Sequence, residues 1–141
     1  MARKTYRVGV IGLGFGRAHI PAFQANRCEV VAVCQRNQET ARAVAEPYGV
    51  PGVFEQWERM LDEARPDIVV IASPPSLHRE IALRAFSLGA HVLCEKPLAM
   101  TAAEGRDMVD AAAKAQRVAM TGFNWRFVPA MQRFHSLVEE G

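Results

Sequence analysis

Short apolar runs alternate along this chain with longer stretches in which apolar side chains recur every three or four positions. Val8-Gly-Val-Ile11, Glu29-Val-Val-Ala-Val-Cys34, Asp67-Ile-Val-Val-Ile-Ala72 and His91-Val-Leu-Cys94 read as buried strands. Their apolar residues are consecutive, as in strands covered on both faces by helices. Val53-Phe54 predicts a very short edge strand, and Val118 to Thr121 a sixth strand. The intervening stretches follow the helical period. The first helix lies within Gly16 to Ala25, with Pro21 as a discordant residue because an interior proline removes a helical hydrogen bond. Asn37 is a good N-cap for a stripe of Ala41, Val44, Ala45 and Tyr48, which Pro47 and Gly49 end. Trp57, Met60, Leu61 and Ala64 form the next stripe, stopped by Pro66. Ser73-Pro74-Pro75 opens a helix carrying Leu77, Ile81, Ala85 and Leu88, with Gly89 as its stop. Thr101-Ala-Ala-Glu104 is a capping box for a helix reaching about Gln116. A last amphipathic helix starts near Pro129 and puts Met131, Phe134, Leu137 and Val138 on one side.

Parallel strands need crossover connections of one hand, so this alternation predicts an α/β fold: a doubly wound parallel sheet of about six strands. Ligands in such sheets sit beyond the C-terminal strand ends, where strand order reverses. That geometric filter selects Gly12 to Gly16, Gln35-Arg36, Ser73-Pro74 and Glu95-Lys96. In Gly12-Leu-Gly14-Phe-Gly16 a strand turns through glycines into a helix. Missing Cβ atoms there let backbone N–H groups approach a phosphate, and the helix dipole favours the anion. The dinucleotide pattern wants a third glycine or alanine where Arg17 stands. Either the turn is one residue shorter, or Gly16 takes the helix-packing role. An acid after the second strand would select NAD; Gln35 and Arg36 stand there instead. Gln35 does not repel a 2′-phosphate, and Arg36 offers a planar bidentate partner for one. NADP or NAD is therefore expected, with NADP slightly favoured, unless Arg36 is only a solvated charge.

Composition narrows the class. The chain has 141 residues, half of them hydrophobic, and a formal net charge of +2. Basic and acidic residues are interspersed, so no nucleic-acid partner is expected. No apolar run reaches the roughly 18 residues of a membrane span, and the start lacks a signal peptide's apolar stretch. Cys28, Cys34 and Cys94 lack metal-site spacing and read as reduced, buried thiols of a cytoplasmic protein, with no metal.

Cys94-Glu-Lys-Pro97 resembles the Glu-Lys-Pro motif of the Gfo/Idh/MocA family, the glucose–fructose oxidoreductase and inositol dehydrogenase type of NAD(P)-dependent enzyme. The Gly12 to His19 turn continuing into Ile20-Pro-Ala-Phe23 resembles the same family. So do Ser73-Pro-Pro-Ser-Leu-His78, and Gly122-Phe-Asn-Trp-Arg-Phe127 with Pro129-Ala130. The resemblance spans nearly the whole chain and implies a Rossmann cofactor domain in residues 1–127. Residues 128–141 are then a helix leading to a second, substrate-binding α/β domain absent from this chain. It further implies that Gly12, Gly14, Phe15 and Gly16 face the pyrophosphate, and that Ser73, Pro74 and His78 lie along the ribose and nicotinamide half. Glu95 then contacts the nicotinamide ribose, Trp125 and Arg126 reach the nicotinamide end, and Lys96 is the catalytic lysine. The departures are Arg17 and Gln35.

The expected activity is hydride transfer between a secondary alcohol of a sugar or cyclitol and nicotinamide, with this fragment inactive alone. The expected partner is a small polyol or sugar, with no membrane and a homo-oligomer in full-length form. Two other readings stay open. One is a non-catalytic NAD(P)-binding sensor or subunit, free to lose Lys96. The other is an S-adenosylmethionine site, disfavoured because no acid precedes Gly12 or stands at Gln35. His78 could instead be a helix-face residue.

Overall fold

A computed structural model describes residues 4–141. Six parallel strands form one sheet in the order β3-β2-β1-β4-β5-β6. They are β1 (Arg7–Ile11), β2 (Glu29–Cys34), β3 (Gly52–Phe54), β4 (Ile68–Ile71), β5 (His91–Cys94) and β6 (Ala119–Thr121). The helices are α1 (His19–Ala25), α2 (Gln38–Ala45), α3 (Trp57–Ala64), α4 (His78–Ser87), α5 (Ala102–Ala115) and α6 (Pro129–Glu140). This is the doubly wound order of a Rossmann sheet, with its reversal between β1 and β4. The glycine turn leaves β1 at that reversal.

Side chains alternate across the sheet and feed two cores. On one face Ile20 of α1 with Ala41 and Ala45 of α2 packs on Val8, Val10, Val30, Val33 and Val70. On the other, α3, α4 and α5 bring Met60, Leu61, Ile81, Phe86 and Met108 against Val69, Ile71, Val92 and Cys94. Each fully buried aliphatic side chain favours the fold by about 1.5–3 kcal/mol, which is why the consecutive apolar runs become central strands.

Local signals explain the element ends. Pro21 is the third residue of α1, in the first turn, where its missing N–H has no intrahelical partner to lose. A 3-10 turn, Gly16–Ala18, precedes α1, and a second, Pro75–Leu77, precedes α4. Asn37 caps α2 by accepting from the Thr40 N–H at 2.9 Å. Thr101 and Glu104 form the reciprocal capping box of α5. The expected stripe of α4 is broader than its spacing suggested: His78, Ala82 and Phe86 are buried along with Ile81 and Ala85, while Leu77 and Leu88 pack partly covered. On α6, Met131, Phe134, Leu137 and Val138 are all exposed.

Candidate dinucleotide site

The loops of the site are held by the sheet itself. The first residue beyond five of the strands extends the ladder by one hydrogen bond. Gly12 N–H donates to Cys34 O at 2.9 Å, Gln35 to Phe54 O at 3.0 Å and Ala72 to Ile11 O at 2.7 Å. Glu95 N–H donates to Ile71 O, and Gly122 to Cys94 O, both at 2.8 Å. All these loops therefore start at the same edge of the sheet.

Gly12 has φ +86°, and a Cβ there would run into the Ala72 carbonyl, so only glycine fits. Gly16 is buried, and its hypothetical Cβ would lie 3.1 Å from both Ala72 Cβ and Val10 Cγ1. It therefore takes the close helix–strand packing role, which leaves Arg17 free to be exposed. At Gly14 a Cβ would meet nothing within 4 Å, so that backbone faces open space. Here lies a groove of about 440 Å³ lined by Gly12, Leu13, Gly14, Gln35, Arg36, Ser73 and Pro74, together with Asn37, Glu55, Trp57 and Leu77. Gln35 turns back into the turn, its Oε1 accepting from the Leu13 N–H at 3.1 Å. Phe15, 60% exposed, stands at the tip of the turn.

Glu95 is buried at the end of β5, and Lys96 beside it is exposed. The Glu95 carboxylate accepts from His19 Nε2 at 2.8 Å, and the Lys96 N–H approaches its other oxygen at 3.4 Å. A Cβ on Gly122 would lie about 3.0 Å from that carboxylate, so the loop after β6 passes close over Glu95. The Lys96–Pro97 peptide is cis.

His78 lies at the start of α4, between the loops after β4 and β5. It is 1% exposed, with Nδ1 3.0 Å from Pro97 O and Nε2 2.9 Å from Ser73 O. The buried ring ties the loop after β4 to the loop after β5. Trp125 and Arg126 are not brought into the glycine groove. They lie in a 3-10 turn, Asn124–Phe127, and border a separate groove of about 570 Å³ with Met131, Phe134 and Val138 of α6.

The reading of three buried thiols needs one correction. Cys34 and Cys94 are buried, but Cys28 is only half-buried, because it precedes β2 in the turn after α1. Burial pushes the Cys34 thiol up to about 12, with Glu58 and Glu55 adding to the effect. Burial, then the neighbouring Glu95, does the same to Cys94. Both stay protonated at neutral pH and are not nucleophiles.

Three residues at these strand ends went unmarked in the sequence. Glu55 follows β3 directly, and the strand-end rule would have found it had so short a strand been weighted. Trp57 reads as core from its helical stripe, and His19, although it closes the Gly12 to His19 stretch, carries no local sign of its pairing with Glu95.

An open, glycine-lined turn at the β1/β4 reversal, with an anion partner at Arg36, is chemically suited to a dinucleotide pyrophosphate and ribose. The fold and the turn together define an NAD-binding Rossmann domain. Residues 6–123 match the family described as "Oxidoreductase family, NAD-binding Rossmann fold", and the chain belongs to this GFO_IDH_MocA family. It is 37% identical over 144 residues to D-glucoside 3-dehydrogenase of Escherichia coli, covering all of this chain and 41% of that protein. It is 36% identical over 150 residues to levoglucosan dehydrogenase of Pseudarthrobacter phenanthrenivorans, covering 98% of this chain and 38% of that protein. Among solved structures, scyllo-inositol dehydrogenase of Lactobacillus casei with bound NAD(H) and scyllo-inositol superimposes with a TM-score of 0.88 at 26% identity. That match covers 98% of this chain and 42% of the other. The chain thus spans about two-fifths of the relatives it matches.

Proposed function

We propose that this chain is the cofactor-binding part of an NAD(P)-dependent dehydrogenase acting on a secondary alcohol of a sugar or cyclitol. The observation that carries this reading is the adjacency, across β1, β4 and β5, of the open glycine turn and the Glu95-Lys96 pair. Gly12, Gly14, Phe15 and the start of α1 would hold the pyrophosphate. Ser73 and Pro74 border the path towards Glu95, which contacts the nicotinamide ribose. When bound, the nicotinamide would supply or accept the hydride. Lys96 Nζ hydrogen-bonds the substrate oxygen and takes its proton as the alcohol becomes a carbonyl. Glucosides, levoglucosan and scyllo-inositol, the compounds named for its relatives, share the secondary alcohol this chemistry needs.

We assign residues 1–127 to the cofactor domain and 128–141 to the helix leading to a substrate-binding domain; the family match over residues 6–123, which stops short of that helix, supports this reading. The exposed apolar stripe of α6 suits such a junction, and a homo-oligomer in the full-length form. Unpaired thiols suit a cytoplasmic setting. Both cofactors are accepted, with NADP slightly favoured by Arg36; Glu55 on the same groove keeps the preference small.

The test is Lys96→Met in the complete protein. Cofactor affinity is expected to stay within about twofold while turnover falls by about 10²-fold, the scale of lost acid–base assistance. Near-normal turnover would remove Lys96 from the mechanism.

A further inference from the structure

We propose that His19 is a positioning residue that aims the Glu95 carboxylate at the nicotinamide half of the bound dinucleotide. The proposal rests on the reading of the glycine groove as a dinucleotide site. His19 is the first residue of α1, directly after the phosphate-facing turn, whereas Glu95 leaves β5 on the far side of β4. Their side chains are joined at 2.8 Å and are only 19% and 11% exposed. A charge-assisted hydrogen bond so far removed from water holds geometry better than a surface pair does.

The surroundings leave the carboxylate few alternatives. Gly122 crosses closely over it, a Cβ there lying about 3.0 Å from the carboxylate, and its second oxygen faces the N–H of Lys96. Phe15 packs edge-on against the His19 ring, with centroids 6.0 Å apart and planes at 73°. Phe15, His19, Glu95 and the Lys96 backbone are therefore contiguous from the phosphate turn to the catalytic lysine. His78 holds Pro97 and Ser73 independently, so loss of His19 releases Glu95 without freeing the loop after β5. The consequence belongs to the nicotinamide end and not to the adenosine end.

The experiment titrates NADH and ADP into this chain and into His19→Leu, His19→Asn and His19→Gln. His19→Leu and His19→Asn, which do not reach Glu95, are expected to weaken NADH about tenfold, the scale of one lost charge-assisted hydrogen bond, and to move ADP by less than about twofold. His19→Gln, whose amide can donate to the carboxylate, is expected to return NADH affinity to within about threefold of the parent. Unchanged NADH binding in His19→Asn, equal loss of NADH and ADP, or a glutamine variant as weak as the asparagine one would each overturn the proposal. A parent chain that binds neither nucleotide would refute the dinucleotide reading itself, and that result is visible without any variant.

Discussion

At Gly12 the left-handed backbone and the nearby Ala72 carbonyl exclude every side chain, while at Gly16 the pressure comes from Val10 and Ala72 beneath the start of α1. Gly14 is constrained by neither. Its freedom is useful only if something approaches the backbone from the open side, which is where the groove lies. The displaced third glycine therefore marks no defect in the turn: Gly16 does the packing and Arg17 points outward. Gln35 shows a comparable division. With its side-chain oxygen taken by the Leu13 N–H, it stabilises the turn, and Arg36 is the cationic side chain that lines the groove beside it. Replacing Arg36 with alanine is accordingly expected to weaken NADPH by about tenfold and NADH by less than about twofold, because only the 2′-phosphate needs the guanidinium. Parallel titrations with both reduced cofactors check this. Equal losses would mean that Arg36 serves the shared part of the molecule.

The elements that position the site were legible in the sequence wherever burial imposes a pattern. β2 and β4 are covered on both faces and must be continuously apolar, and they stood out for that reason. Asn37 and the Thr101–Glu104 box were legible because capping is local chemistry within four residues. Thr101→Ala leaves the Glu104 N–H without its side-chain partner at the start of α5. It is expected to cost about 1 kcal/mol, read as a lower denaturation midpoint, with serine restoring most of it. What escaped the sequence was long-range pairing. His19 and Glu95 are 76 positions apart, and only the order of the strands brings them together. His78 was visible as part of a motif but not as a buried tie, since both of its ring nitrogens face backbone carbonyls that no residue type announces. Trp125 and Arg126 are expected at the nicotinamide end on resemblance alone, and the groove they border is shared with α6.

For the molecule as a whole, the sheet order, the glycine turn at its reversal and the loops pinned to one sheet edge are mutually consistent requirements of a dinucleotide domain. The membership of the chain in an NAD-binding oxidoreductase family agrees with that architecture over residues 6–123. In the proposed reading the catalytic step would draw on Lys96 and on substrate contacts, whereas the pyrophosphate, shared by both cofactors, would be held at the glycine groove. The most direct measurement is therefore an NADH fluorescence titration of this chain beside Gly14→Asp. The substituted side chain enters open space, so the variant is expected to unfold at the same temperature as the parent. Its carboxylate faces the pyrophosphate and is expected to weaken NADH by at least about tenfold through like-charge repulsion. Saturable binding by the parent with that loss in the variant is the predicted result. A parent chain that does not bind NADH, or a folded Gly14→Asp that binds it as well as the parent, would contradict the assignment of the groove.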